Sequence, residues 1–226
     1  MSYGMIIADT GGNVIVDETH PIFVFRESGS HSIVDSGTTT IDITDTDQIL
    51  WACIRPSTAC HVTMLSFTMS GSTKTGFQIL SDGTGTIDWA VFQSRTTTAI
   101  PKYGIVIYDS SEDVVFHSND NYMVSKYGYS FPPTTSITST REIPAIDADN
   151  NYFVFEAPCY FMEYTYTGAA LQTTYYMLGV KKNSSSRLEG KMIKYYDSNI
   201  ASTHSPVRGG GSWSINGYIS EYNSAK

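Results

Sequence analysis

Apolar and polar residues alternate with a period of two along most of the chain, the period of a strand that buries one face. Thr63, Leu65, Phe67 and Met69 interleave with Met64, Ser66, Thr68 and Ser70, which predicts a strand with one buried and one hydroxylated face. Ile87, Trp89 and Val91 repeat the pattern, as do Tyr152, Val154 and Glu156 against Phe153 and Phe155. Turn-forming clusters separate such runs: Gly11-Gly12-Asn13, Ser81-Asp82-Gly83, Pro132-Pro133, Asp149-Asn150 and Asn183 to Ser186, the last of which, with Lys181 and Lys182 before it, reads as a solvated hairpin tip. Helical spacing is nearly absent. Ala169 to Tyr176 comes nearest to it, but Gly168 flanks the run and Thr and Tyr fill it, so it too reads as strand. Many short strands at short, irregular spacings predict an all-β fold, an antiparallel β-sandwich.

One hairpin motif occurs twice. Tyr3-Gly4-Met5-Ile6-Ile7-Ala8-Asp9 is matched 100 positions later by Tyr103-Gly104-Ile105-Val106-Ile107-Tyr108-Asp109. The register holds on to Val14-Ile15-Val16 against Val114-Val115-Phe116, with 5 of 14 positions identical. Each copy is an apolar run, a turn opened by Asp and a second apolar run, the grammar of a β-hairpin. The expectation is a single sandwich unit over 1–226 with hairpin halves starting near 3 and 103. If there are two lobes, the boundary falls near 100; residues 125–226 make a Tyr-rich second half.

Composition narrows the function. The chain has 226 residues, of which 28 are Ser, 26 Thr and 16 Tyr, and only 16% are charged. Aromatics at 13% argue against disorder, which goes with few aromatics and much charge. With 14 Lys+Arg against 22 Asp+Glu the net charge is −8, so no nucleic-acid partner is expected. The apolar runs fall far short of the roughly 20 residues of a membrane helix, so no membrane span is expected. Met1-Ser2-Tyr3-Gly4 is not a basic leader, and Cys53, Cys60 and Cys159 make no framework spacing. Folding in a reducing cytoplasm is the expectation.

Motifs that carry chemistry are mostly incomplete in this chain. Gly210-Gly211-Ser212-Trp213-Ser214 lacks the last glycine of a nucleophile elbow, and Gly190-Lys191 lacks the earlier glycine of a phosphate loop. Asp147, Asp149 and Asn151 start like a calcium loop, but Tyr152 and Pro158 occupy its glycine and glutamate places. Asp42, Asp45 and Asp47 are the remaining cation candidates. Cys53, Cys60, His61 and Cys159 are too widely spaced for a structural zinc site and read instead as buried small residues. Glu156, Glu163 and Glu189 are the carboxylates to check for glycoside cleavage, where separation in space decides. No catalytic residue, cofactor or metal is assigned, and the expectation is that the chain is not an enzyme.

The binding signal lies in Tyr160, Tyr164, Tyr166, Tyr175, Tyr176, Tyr195 and Tyr196, set among Ser, Thr, Gly and Asn. Tyrosine with small polar residues is a contact-surface mixture, because a phenol gives area at low entropy cost and a hydrogen-bonding tip. Tyrosine is also a good strand residue, so strand filling, a subunit interface and a ligand surface all remain open.

The stretch Ile87-Asp88-Trp89-Ala90-Val91-Phe92, a Ser/Thr-rich link, Tyr103-Gly104-Ile105-Val106-Ile107-Tyr108-Asp109 and Val114-Val115-Phe116 resembles minor tail proteins of tailed bacteriophages. The resemblance covers Tyr3 to Val124; the turn Asp109-Ser110-Ser111-Glu112-Asp113 departs from it in lacking glycine. It implies a virion protein of a tail tip, baseplate or tail fibre, made in the bacterial host cytoplasm. Its implied partners are other tail proteins, further copies of itself (a trimer, by analogy with tail fibres) and a host cell-surface glycan or protein. The alternatives are a carbohydrate-binding β-sandwich module, with Trp51, Trp89 or Trp213 edging a row of exposed rings, and a capsid decoration protein.

Overall fold

The computed structural model describes residues 7–8, 14–16, 23–94, 103–108, 114–118, 120, 124–131, 140–143, 149, 151–155, 160–167, 170–200 and 215–221. The strands are β1 Ile7–Ala8, β2 Val14–Val16, β3 Phe23–Ile33, β4 Gly37–Thr46, β5 Leu50–Arg55 and β6 Val62–Ser70. Then come β7 Thr73–Ser81, β8 Gly85–Ser94, β9 Val106–Tyr108, β10 Val114–His117, β11 Val124–Phe131 and β12 Arg141–Ile143. The rest are β13 Asn151–Phe155, β14 Tyr160–Thr167, β15 Ala170–Ser184, β16 Arg187–Ile200 and β17 Ile215–Glu221. No helix occurs among the described residues, and Ala170 to Tyr176 is strand, as its composition predicts.

Two larger antiparallel sheets hold most of these strands. Sheet one runs β11-β17-β13-β5-β8-β3; sheet two runs β12-β16-β15-β6-β7-β4, with β14 added to β15. Both sheets draw strands from either side of residue 100. They pack through one apolar cluster in which Ile54, Ile87, Trp89 and Val91 of sheet one meet Ile41, Val62, Phe77 and Ile79 of sheet two. Phe77 and Trp89 touch edge to face, ring centroids 5.8 Å apart. Burying one such side chain contributes about 1.5–3 kcal/mol, so this cluster is what holds the sandwich together.

Alternation predicts the core well in β8 and poorly in β6. Ile87, Trp89 and Val91 are all in the inter-sheet core. In β6 the pairing with β7 shifts between Met64 and Ser66. Such a bulge switches the faces of a strand. Val62, Met64 and Phe67 therefore pack on the core, whereas Leu65 joins Leu80, Met177 and Ile193 in a separate cluster. The single apolar face read from Thr63, Leu65, Phe67 and Met69 is thus split, and Met69 is exposed. Sheet one also carries apolar side chains on its other face, where Cys53, Ala90 and Phe92 pack with Phe23, Phe25 and Trp51.

The described parts of the two matched stretches are antiparallel strand pairs with corresponding partners. Ile7 pairs with Val16 and Ala8 with Val14; 100 positions on, Ile107 pairs with Phe116 and Tyr108 with Val114. The register shift falls at the same place in both. Gly104 has φ +136°, and a Cβ there would lie 2.7 Å from Ser118 Oγ and 2.9 Å from His117 Nε2. The glycine of Tyr103-Gly104 is therefore demanded by backbone and space alone. Asp9 and Asp109, the turn openers, lie outside the described residues.

Candidate functional site

The tyrosines gather on the long β15–β16 hairpin. Tyr175 faces Tyr196 across the pair, with ring centroids 6.2 Å apart and planes tilted by 35°. Tyr175 pairs with Tyr196 but Tyr176 with Lys194, so Tyr195 is the extra residue of a bulge. Tyr195 and Tyr196 are 45% and 56% exposed. Beside them Thr174 Oγ1 donates to Asp197 Oδ1 at 2.8 Å, and the Lys194 ammonium pairs with the same carboxylate. The hydrogen bond from Lys194, then that from Thr174, hold the Asp197 carboxyl below its usual range. Tyr160, Tyr164 and Tyr166 lie in β14 opposite Met177, Thr173 and Leu171; their side chains are outside the described set. Four of the seven tyrosines are thus placed on one hairpin, and two of them pack together.

A second cluster, which sequence spacing does not reveal, braces that hairpin within sheet two. The His61 backbone N–H donates to Asp82 Oδ1 at 2.8 Å, and its ring Nδ1 lies 2.8 Å from Asp82 Oδ2. Ring Nε2 lies 3.1 Å from Glu189 Oε1, and the ring is only 5% exposed. Lys191 sits 3.3 Å from Asp82 Oδ2 and Lys181 3.1 Å from Glu189 Oε1. A neutral imidazole can donate to one of these carboxylates, whereas the imidazolium donates to both. Burial pushes both carboxyls up, but the opposing bonds win: His61 and Lys191 hold Asp82 low, and Lys181 and His61 hold Glu189 low. Glu189 is therefore kept ionised, the opposite of what the proton donor of a glycosidase needs. Lys181, expected at a solvated hairpin tip, is only partly exposed and spent on this ion pair.

The cysteines behave as small core residues where described: Cys53 is 0% and Cys60 2% exposed. Burial, then the Asp82 carboxylate, push the Cys60 thiol up. Among the described residues no three His, Cys, Asp or Glu side chains converge on a point where a metal ion could sit. Asp82 and Glu189 lie at opposite ring nitrogens of His61 and so do not converge. Asp42, Asp45 and Asp47 are exposed, and Asp47 accepts from its neighbour Gln48. Cys159, Glu156, Asp147, Gly210, Ser212 and Trp213 lie outside the described residues, as does the side chain of Glu163. Trp89 is 8% exposed and in the core, so it edges no open row of rings, whereas Trp51 is half-buried and packs on Phe23 at 5.6 Å. Trp89 at the rim of a sugar platform is corrected: its place in the β8 alternation sends it inward.

A polar pocket of about 380 Å³ opens where four segments meet. Its lining is Arg55, Pro56, Ser57 and Thr58 at the end of β5, Thr86 and Asp88 of β8, Asp149, and Lys182 of β15. Arg55 and Asp88 are cross-strand neighbours, and the guanidinium meets Asp88 Oδ2 through Nη2 at 2.7 Å and Nε at 3.2 Å. Its Nη1 donates to the Asp149 carbonyl at 2.9 Å, and the Lys182 ammonium pairs with the Asp149 carboxylate. Burial pushes the Asp88 carboxyl up, but hydrogen bonds from Ser30 and Arg55 outweigh it and hold it low. Lys182, like Lys181, is thus bound rather than waving at a tip.

The described residues define an all-β antiparallel protein whose two larger sheets share an apolar core. Compared with models of known protein families, with curated proteins and with solved structures, the chain matches none.

Proposed function

We propose that the chain is a structural protein of a bacteriophage virion, placed at the tail tip, baseplate or tail fibre, that acts by assembly. The observation carrying this is the exposed aromatic surface on two hairpins that the sandwich core does not use. Tyr195 and Tyr196 are exposed on β15–β16, and Tyr103, Ile105 and Tyr108 are exposed on or beside β9. Exposed rings rimmed by polar residues mark contact surfaces, because burying them on a partner releases water at little entropic cost. The resemblance of Tyr103 to Phe116 to minor tail proteins supports the tail assignment, and so does the matching register of its two copies. Partners in this reading are further copies of the chain and neighbouring tail proteins.

Quantitative mass spectrometry of purified particles tests it. A handful of copies per particle supports a tip, baseplate or fibre. Hundreds of copies mean a tail tube or capsid decoration instead, and absence from particles overturns the virion reading.

A further inference from the structure

We infer that the pocket formed by Arg55, Ser57, Thr58, Thr86, Asp88, Asp149 and Lys182 is a binding site for a neutral polyhydroxylated ligand, a sugar unit. Three observations converge on that chemistry.

The first is charge balance. The lining holds two cations, Arg55 and Lys182, and two carboxylates, Asp88 and Asp149, in a chain whose net charge is −8. Each cation is bound to a carboxylate of the same wall. Paired charges offer little attraction to an ionic ligand, yet carboxylate oxygens keep accepting capacity beyond one bond, and an ammonium has three donors. What such a wall presents is a mixture of donors and acceptors without a net field. A sugar hydroxyl, which donates and accepts at once, is the group that uses both.

The second is the three hydroxyls, Ser57, Thr58 and Thr86, beside the buried ring of Pro56. Each hydroxyl donates and accepts at once, as the hydroxyls of a sugar do. The third is that the site is held in place. Arg55 links β5 to β8 and to Asp149, and the Lys182 backbone N–H donates to the Ser57 carbonyl at 2.9 Å. Side chains fixed before binding cost less entropy when a ligand arrives. The volume of about 380 Å³ falls within the roughly 300–1,000 Å³ of small-molecule sites.

This reading deepens the contact role proposed above but rests on it only for where the sugar would come from. The test is made on the full chain, with saturation-transfer NMR against neutral mono- and oligosaccharides and an array of neutral and anionic glycans. Neutral sugars are expected to bind, with little change between low and high salt. Thr86→Val and Lys182→Met should each weaken binding by about three- to tenfold, the loss of one hydrogen bond. A thermal melt of each variant checks folding, and Thr86→Val, an exposed isostere on a strand, keeps the test valid if Lys182→Met unfolds. Oligosaccharide binding that free hexoses and glycerol barely compete identifies a surface glycan. Equal competition by free hexoses identifies a soluble sugar, and either result upholds the pocket chemistry. Failure to bind any neutral sugar, retention of anionic glycans alone with loss in salt, or binding untouched by Thr86→Val overturns it. A chain present in particles that binds no sugar leaves the structural reading standing, and a sugar-binding chain absent from particles does the converse.

Discussion

His61 Nε2 and Glu189 Oε1 lie 3.1 Å apart although 128 positions separate them in the chain. The contact joins the residue before β6 to β16, across β15, and so braces the tyrosine hairpin within sheet two. Replacing His61 by Leu leaves Asp82 and Glu189 without the group between them. The expected cost is about 1–3 kcal/mol, the penalty for partly buried acceptors losing a donor. Urea unfolding measures it, and an unchanged midpoint would remove the clamp from the account of stability.

Acid should loosen the same joint. Asp82 and Glu189 are held below their ordinary values of 3.8 and 4.5. Groups whose folded pKa is depressed stabilise the fold above the ordinary value, and that contribution is lost as pH falls through the folded one. Melting temperature should therefore fall as pH drops below about 4.5, the upper of these values. Glu189→Gln should flatten part of that fall. Melts of the two proteins with parallel pH profiles would contradict this.

Gly76 pairs with Asp42 on one side and Thr68 on the other. A Cβ there would lie 2.6 Å from the Ile41 carbonyl oxygen and 2.7 Å from Thr68 Oγ1. A backbone oxygen cannot swing aside as a side-chain tip can. Gly76→Ala should cost about 1–3 kcal/mol through overpacking. Calorimetry showing no drop in melting temperature would mean the strands separate there at no cost.

Core and surface terms differ enough in size to rank by experiment. Phe77 is fully buried against Trp89, and Phe77→Ala should cost about 3–5 kcal/mol. The Arg55–Asp88 pair is 28% and 36% exposed at its side chains, so solvent screens it. Asp88→Asn should cost about 1 kcal/mol or less. Side-by-side denaturant titrations give the comparison, and a reversed order would put the pocket wall rather than the core in charge of stability.

Tyr195→Ser should leave the isolated protein within about 0.5 kcal/mol of the parent, and Tyr196→Ser, which also loses its cross-strand partner Tyr175, should cost about 1 kcal/mol or less. If the hairpin is a contact surface, the double variant should be depleted from particles assembled in the host. Equal incorporation would return these tyrosines to the role of strand filling.

How far the sequence could be read depends on the range of each interaction. The strand periodicity of Ile87, Trp89 and Val91 is local, and it led to the right side of the core. In Val62 to Ser70 the same local signal failed, because one bulged residue flips every position after it and nothing nearby marks the bulge. Tyr195 and Tyr196 stood out by composition. The pairs His61–Glu189 and Arg55–Asp88 did not, since the sheet register that joins them comes from pairing across long stretches of chain. Lys181 and Lys182 beside Asn183 looked solvated for the same reason: Glu189 and Asp149 are neighbours only in space.

Strand β17 is inserted between β11 and β13, its hydrogen bonds running to both. It follows every other described strand in order of synthesis. At about 5–20 residues per second, β11 and β13 leave the ribosome several seconds before the partner that closes the gap between them. During that interval each carries a strand edge open to any passing strand, including the same edge on a sister nascent chain. The hazard for this protein therefore lies in translation, and slowing or truncating the passage through β17 should show as insoluble chains long before any change in the finished fold.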